Sequence, residues 1–405
     1  MRLTRMIVRF ALLALGATCL LLAATTSSVA ASARAAPPVG RQLAELKGSD
    51  TVTPDNFGAS VAVSGTTAIV GAPAHANDAG RAYVFTETAT GWKQVKELKG
   101  SDTVANDEFG YPVAISGTTA LVGAFGHAQG AGRAYVFTKT TKGWTQAAEL
   151  KASDPHPDDQ FGGAVAISGT TVIVGAWNYT NYADQLFGGR AYIFTKSTSG
   201  WKQTAELAAS DTVLADRFGW SVAISGTTAV VGAVGHVDSS GRAYVFTKSG
   251  TGWNETAELQ ASDVQAYDEF GRSVAVSGTT VLVGSWGTPY NEADRAYVFT
   301  KTTTGWKQVA ELKGSDTVAD SDFGYSVALS GATAAVGARS QAKAAGRAYV
   351  FTKTATGWKQ TKELKGSDTV AGNDFGASVA VAGTTVLVGA PGFSKWSGRG
   401  YVLEG

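Results

Sequence analysis

The dipeptide Phe-Gly recurs at Phe57, Phe109, Phe161, Phe218, Phe270, Phe323 and Phe375, with gaps of 52, 52, 57, 52, 53 and 52 residues. So long and regular a period across a 405-residue chain marks one structural unit copied seven times. Each copy reads FGxSVAVSG, then TTxxVGA, then a variable stretch, then GRAYVFTK and GWKQxxELKGSD. Four short alternating segments per unit make a four-stranded propeller blade rather than a helical repeat or a solenoid coil. The expected fold is all-β: a seven-bladed β-propeller of four-stranded blades, with repeats starting near 57, 109, 161, 218, 270, 323 and 375.

The four segments are named strands A to D in chain order. In the first unit, strand A sets bulky Phe57, Val61 and Val63 with Ala59 on one face and Gly58, Ser60, Ala62 and Ser64 on the other. Stacked blades need this pattern, because a bulky face must fill the small face of its neighbour. Ser64-Gly65-Thr66-Thr67 has the chemistry of a two-residue type II′ hairpin, with glycine leading. Strand D carries Lys93, Lys96 and Glu97, charges that protect an exposed sheet edge, which makes D the outer strand. The 50 glycines recur at fixed places in the long period and show no three-residue repeat, so a collagen-like chain is excluded.

The two ends of the chain fit together. The seventh unit stops at Gly398-Arg-Gly-Tyr-Val-Leu403, after strand C, and has no strand D. The missing strand is at the other end, where Gln42-Leu-Ala-Glu-Leu46 matches Gln94 to Leu98 in register. Residues 41–47 are therefore expected to complete the seventh blade and close the ring, making 37–405 a single propeller domain.

Residues 1–36 read as a signal peptide. Arg2, Arg5 and Arg9 precede an apolar run from Phe10 to Ala24, and the small residues of Ser28-Val-Ala30 and Ala31-Ser-Ala33 offer cleavage sites. The run is shorter than the roughly 20 residues of a membrane span, so export is expected and membrane insertion is not. Cys19, the only cysteine, lies in this segment, so stability must come from packing rather than disulfides. Without the three arginines the charge falls from +1 (34 minus 33) to −2 (31 minus 33), which gives no electrostatic reason to bind nucleic acid.

On FGxSVAVSG, on the Gly-Ala-Pro at Gly71 to Pro73 and Gly389 to Pro391, and on GRAYVF, the units resemble the FG-GAP repeats of integrin α-type propellers and of secreted bacterial proteins. The resemblance implies a seven-bladed propeller, a secreted location and a role in adhesion or ligand recognition. It does not carry calcium over. The A-to-B connection is only Ser-Gly-Thr-Thr where a DxDxDG loop would supply oxygen ligands, so no cofactor is expected. Acidic pairs five residues apart, such as Asp50/Asp55 and Asp211/Asp216, recur in the D-to-A loop. Turn and cap chemistry is one reading of them and a weak cation site is the other.

Residues repeated from unit to unit are explained by the blade: the Phe of Phe-Gly and the Trp of Gly-Trp as packing, the Arg of GRAY as a structural ion pair or a stack on a ring rather than a ligand contact. Function is sought where the units differ. The second residue after each Phe reads Ala59, Tyr111, Gly163, Trp220, Arg272, Tyr325 and Ala377. The B-to-C loops supply Phe125, Trp177, Tyr179, Tyr182, Trp286, Tyr290, Arg339 and Trp396, with His75, His127 and His236 at equivalent places. D-to-A and B-to-C connections share one end of the blade, so these residues belong to one face of the disc. Exposed Tyr, Trp and Asn together bind flat apolar faces with polar edges, which suits sugars or protein surfaces. The alternative is that several of the rings plug the central channel or pack the loops. Tyr111, Phe125, Trp177, Tyr179, Tyr182, Trp220, Arg272, Trp286, Tyr290, Tyr325, Arg339 and Trp396 are thus the candidate ligand-binding set.

No P-loop, HExxH or G-x-S-x-G elbow occurs, so no catalytic or metal-binding residues are assigned. The expected function is a secreted, monomeric recognition or adhesion module for an extracellular protein or glycan. The alternatives are a polysaccharide lyase or hydrolase using the same face, or a structural matrix component.

Overall fold

A computed structural model describes residues 39–180, 188–250, 252–287 and 294–405. The expected architecture is present: seven four-stranded antiparallel sheets, each running A-B-C-D outward from the centre. In blade one the strands are Ser60–Ser64, Thr67–Ala72, Arg81–Thr88 and Gly91–Leu98. Gly65 has a φ of +55° in the two-residue A-to-B turn, and Thr66 does not leave the ordinary region, as a type II′ turn requires.

The chain closes on itself as the end-matching implies. The N-terminal strand Gln42–Leu46 lies antiparallel to Arg399–Glu404, outermost in the sheet that also holds Thr385–Ala390 and Ser378–Ala382. Its register pairs Glu45 with Tyr401 and Leu46 with Gly400, with a bulge between Gln42 and Ala44. In blade one Glu97 pairs with Tyr83 and Leu98 with Ala82, and the bulge falls at the corresponding Phe85. Gln42 also accepts the Ser367 amide at 2.9 Å, as Gln94 accepts that of Ser49.

The core lies between blades, not within them. Phe57, Tyr83 and Phe85 of blade one pack with Leu46, Leu387 and Val402 of blade seven, and comparable clusters fill the other interfaces. Close approach explains the repeated glycines. A Cβ on Gly71 would collide with the Gly110 carbonyl oxygen of the next blade, so the Gly of Gly-Ala faces the Gly of Phe-Gly. The Arg of GRAY pairs with a strand D glutamate in each blade, from Arg81–Glu97 at 2.8 Å to Arg399–Glu45, the pair that ties the N-terminal strand to blade seven.

Candidate functional site at the channel mouth

The D-to-A loops set where each strand A begins. The first Asp of the recurring pair accepts a strand C tyrosine hydroxyl, as Asp50 does from Tyr83 and Asp102 from Tyr135, both at 2.8 Å. Burial, and then the carboxylate itself, push the Tyr83 hydroxyl above its usual range and keep it a donor. The second Asp caps the loop: Asp55 accepts the Val52 amide, Asp107 that of Val104 and Asp216 that of Val213. Asn373 takes this place in the last unit, accepting from Val370. These contacts are turn chemistry, plus a tyrosine anchor that the sequence reading did not foresee.

The loop ends on a residue in the left-handed region, with φ between +46° and +58°. It is Asn56, Glu108, Gln160, Arg217, Glu269, Asp322 or Asp374, immediately before each Phe. A non-glycine residue there costs about 1–2 kcal/mol, so the loop must be held firmly. The turn sends the second residue after Phe to the rim of the central channel. All seven such residues, Ala59 to Ala377, line one cup of about 300 Å³.

The B-to-C loops reach the same rim. In blades one, four, six and seven each makes a single left-handed turn, at His75–Asp78, His236–Ser239, Gln341–Ala344 and Phe393–Trp396. Contributions from blades three to six then join into one connected cluster. Trp177 meets Trp220 with ring centroids 5.0 Å apart and planes at 60°. The Arg272 guanidinium lies over three rings: Trp220 at 5.3 Å, Trp286 at 4.4 Å and Tyr325 at 5.0 Å. Arg339 stacks on Tyr325 at 3.8 Å, and Trp286 meets Tyr325 edge-on.

Carboxylates hold this cluster in place. Asp322 accepts from Trp286 Nε1 at 2.7 Å, from Arg339 Nε at 2.8 Å and from Ser340 Oγ at 2.6 Å. Glu269 pairs with Arg272 at 2.8 Å. Behind Asp322, Asp294 accepts its backbone amide at 2.8 Å. Burial and the Asp322 charge push the Asp294 carboxyl up to about 6. Asp374, beside the neighbouring cup of about 190 Å³, is raised by burial, against the opposing pull of Arg339.

The candidate residues divide. Trp177, Trp220, Arg272, Trp286, Tyr325 and Arg339 form the cluster. Tyr111 faces it across the channel and meets Phe125 edge-on at 6.1 Å. Trp396 is exposed and lines the smaller cup with Tyr111, Tyr325 and Arg339. Tyr179 does not join them: it is buried, donates its hydroxyl to Asp154 at 2.9 Å and lies under the Arg190 guanidinium. Tyr182 and Tyr290 lie outside the described residues.

The loop histidines perform the task of Tyr179 in their own blades. His75 spans Asp55 (2.8 Å) and Asp50 (3.8 Å), and His127 does the same between Asp107 and Asp102. His236 lies between Asp216 and Asp211, and together Asp211, His236 and Glu258 offer three ligand atoms within 4.8 Å of one another. Asp211 already accepts from Tyr244 there and Glu258 is paired with Arg242. Sequence reasoning missed Arg217, which lies over both Trp177 and Trp220, as well as Asp322 and Asp374. All three precede a repeat Phe, and the variability of that position was the available signal.

A ring of seven four-stranded antiparallel blades, closed by a strand from the far end of the chain, defines a seven-bladed β-propeller, and this fold suggests a binding or recognition module. The chain belongs to the FG-GAP repeat family, whose model matches it seven times, at residues 41–85, 92–137, 144–194, 201–246, 253–299, 306–351 and 358–403. The crystal structure of Saccharomyces cerevisiae Sqt1 is similar to it at 12% identity, over 87% of this chain and 84% of that one, with a TM-score of 0.47. No curated protein matches the chain. Among the described residues no helix is long and apolar enough to cross a membrane.

Proposed function

We propose that this protein is exported by its N-terminal segment and recognises an extracellular glycan at the channel mouth on the B-to-C face. The observation that carries the reading is the single cluster built by Trp177, Trp220, Arg272, Trp286, Tyr325 and Arg339. These residues come from four blades and only from positions at which the units differ. The blade itself does not require the strand members Trp220, Arg272 and Tyr325, since Ala59, Gly163 and Ala377 serve at the equivalent positions. Tilted indole faces around a guanidinium offer stacking surface and directed donors, which sugar rings with apolar faces and hydroxyl edges use. The Asp322 contacts fix the Trp286 indole and the Arg339 guanidinium before any ligand arrives, which lowers the ordering cost of binding.

The test is a glycan array, run beside a pull-down from matrix extracts, with the wild-type protein and the Trp177→Ala, Trp220→Ala, Trp286→Ala triple variant. Wild type should capture a restricted set of glycans, and the folded triple variant should capture none. Retained capture by the variant would place recognition elsewhere. A second reading rests on Asp374, whose raised carboxyl stands beside Arg339 in the wall of the mouth. It is the group a polysaccharide lyase or hydrolase would recruit, and release of shortened product from a bound polysaccharide would move the reading to catalysis.

A further inference from the structure

Three blades set a histidine between the two aspartates of the D-to-A loop, and in blade four a glutamate of strand D joins them. Among the described residues, Asp211, His236 and Glu258 are the one group of this kind whose ligand atoms all lie within 4.8 Å of one another. The His236 ring is buried, while Asp211 and Glu258 reach the surface.

The neighbours of His236 set its tautomer. Nδ1 faces Asp216 Oδ1 at 3.3 Å and Tyr244 Oη at 3.5 Å. The Tyr244 proton is committed to Asp211 Oδ1 at 2.8 Å, so both neighbours are acceptors and the ring proton belongs on Nδ1. Nε2 then turns a lone pair toward Asp211 Oδ2, 3.5 Å away. Two acceptors face each other across a gap too long for a good hydrogen bond. Blade three, with Tyr179 in its loop, instead places a hydroxyl donor on its aspartate at 2.9 Å. Two ligands held at about 2.0–2.1 Å by a tetrahedral ion stand about 3.3–3.4 Å apart, close to the spacing of Nε2 and Oδ2.

The carboxylates keep oxygens for such an ion. Tyr244 takes Asp211 Oδ1 and leaves Oδ2; Arg242 takes Glu258 Oε1 and leaves Oε2 without a partner among the described residues. Asp216, fully buried behind the ring, stands where a carboxylate orients a metal-binding imidazole. Three carboxylates and one guanidinium around a neutral imidazole leave two negative charges, which a divalent cation balances.

We infer that blade four binds one divalent transition-metal ion of the zinc class through His236 Nε2, Asp211 Oδ2 and Glu258, with water completing the shell. An imidazole ligand favours such an ion over calcium or magnesium, which take oxygen. The site goes beyond the glycan reading and shares no residue with the aromatic cluster.

Zinc titration of the chelator-stripped full chain, in competition with a chromophoric zinc indicator, tests the inference. Wild type should bind one Zn²⁺ per chain, and excess Ca²⁺ or Mg²⁺ should not displace it. Bound Co²⁺ should show the strong visible absorption of a four-coordinate ion. His236→Gln and Glu258→Gln, checked for folding by circular dichroism, should each weaken Zn²⁺ binding at least about tenfold. His75→Gln should leave it within about twofold, because Glu97 does not complete a three-ligand group in blade one. If His236→Gln does not fold, Glu258→Gln at its exposed position decides. Absence of saturable Zn²⁺ binding overturns the inference, as does displacement by Ca²⁺. So does binding that survives the blade-four substitutions or is lost with His75→Gln.

Discussion

Deleting residues 37–48 removes the strand that closes the ring, and the structure sets the size of the effect. Leu46 is 2% exposed among Phe57, Tyr83 and Val402, and losing its burial costs about 2–3 kcal/mol. The ladder with strand C of blade seven adds net contributions of about 1 kcal/mol per hydrogen bond. The half-exposed Arg399–Glu45 pair adds at most about 1 kcal/mol. The total, on the order of 5–10 kcal/mol, rivals the roughly 5–15 kcal/mol by which a whole domain is stable. The deletion also bares the edge of blade seven as a template for pairing with other chains. Thermal unfolding followed by far-ultraviolet circular dichroism, with light scattering, is the assay. The midpoint should fall by at least about 10 °C, or cooperativity should vanish, and association should appear. A synthetic peptide of residues 37–48 added in trans should restore much of the loss. A monodisperse deletion protein melting within about 2 °C of wild type would refute the closure argument.

Other outcomes follow from the same contacts. Asp294 holds its proton to about pH 6 in the fold, against about 3.9 for an unfolded Asp, so its stabilising contribution is full below about pH 4 and lost as pH rises through 6. Asp294→Asn keeps the acceptor without the charge. Urea denaturation should show it more stable than wild type by about 2–3 kcal/mol at pH 8 and nearly equal at pH 4; an identical gap at both would contradict this. Gly71→Ala, forced onto the Gly110 carbonyl, should cost at least about 2 kcal/mol. Gly65→Ala, which faces open space at positive φ, should cost about 1 kcal/mol, and chemical denaturation of the pair would expose an inverted order.

Much of this fold is legible because one unit is written seven times. Gln42 to Leu46 could be placed in the last blade because Gln94 to Leu98 shows what that segment does elsewhere, and the structure reproduces even the bulge. The Arg81 and Glu97 of one unit have counterparts in all the others, so an ion pair within the blade is the economical reading. The B-to-C loops have no such register. Whether Tyr179 faces ligand or the Asp154 carboxylate depends on how its loop turns, and alternation does not encode that. Residues such as Asn56 and Arg217 adopt left-handed backbone with no glycine to announce it, because the neighbouring loop hydrogen-bonds the turn into place.

The most direct test of the recognition site is a crystal structure with a captured glycan bound. Sugar density should lie at the axis on the B-to-C face, stacked on Trp220 and Trp177 and within hydrogen-bond reach of Arg272. Density at the A-to-B turns, or along the outer strand D edges, would contradict the account.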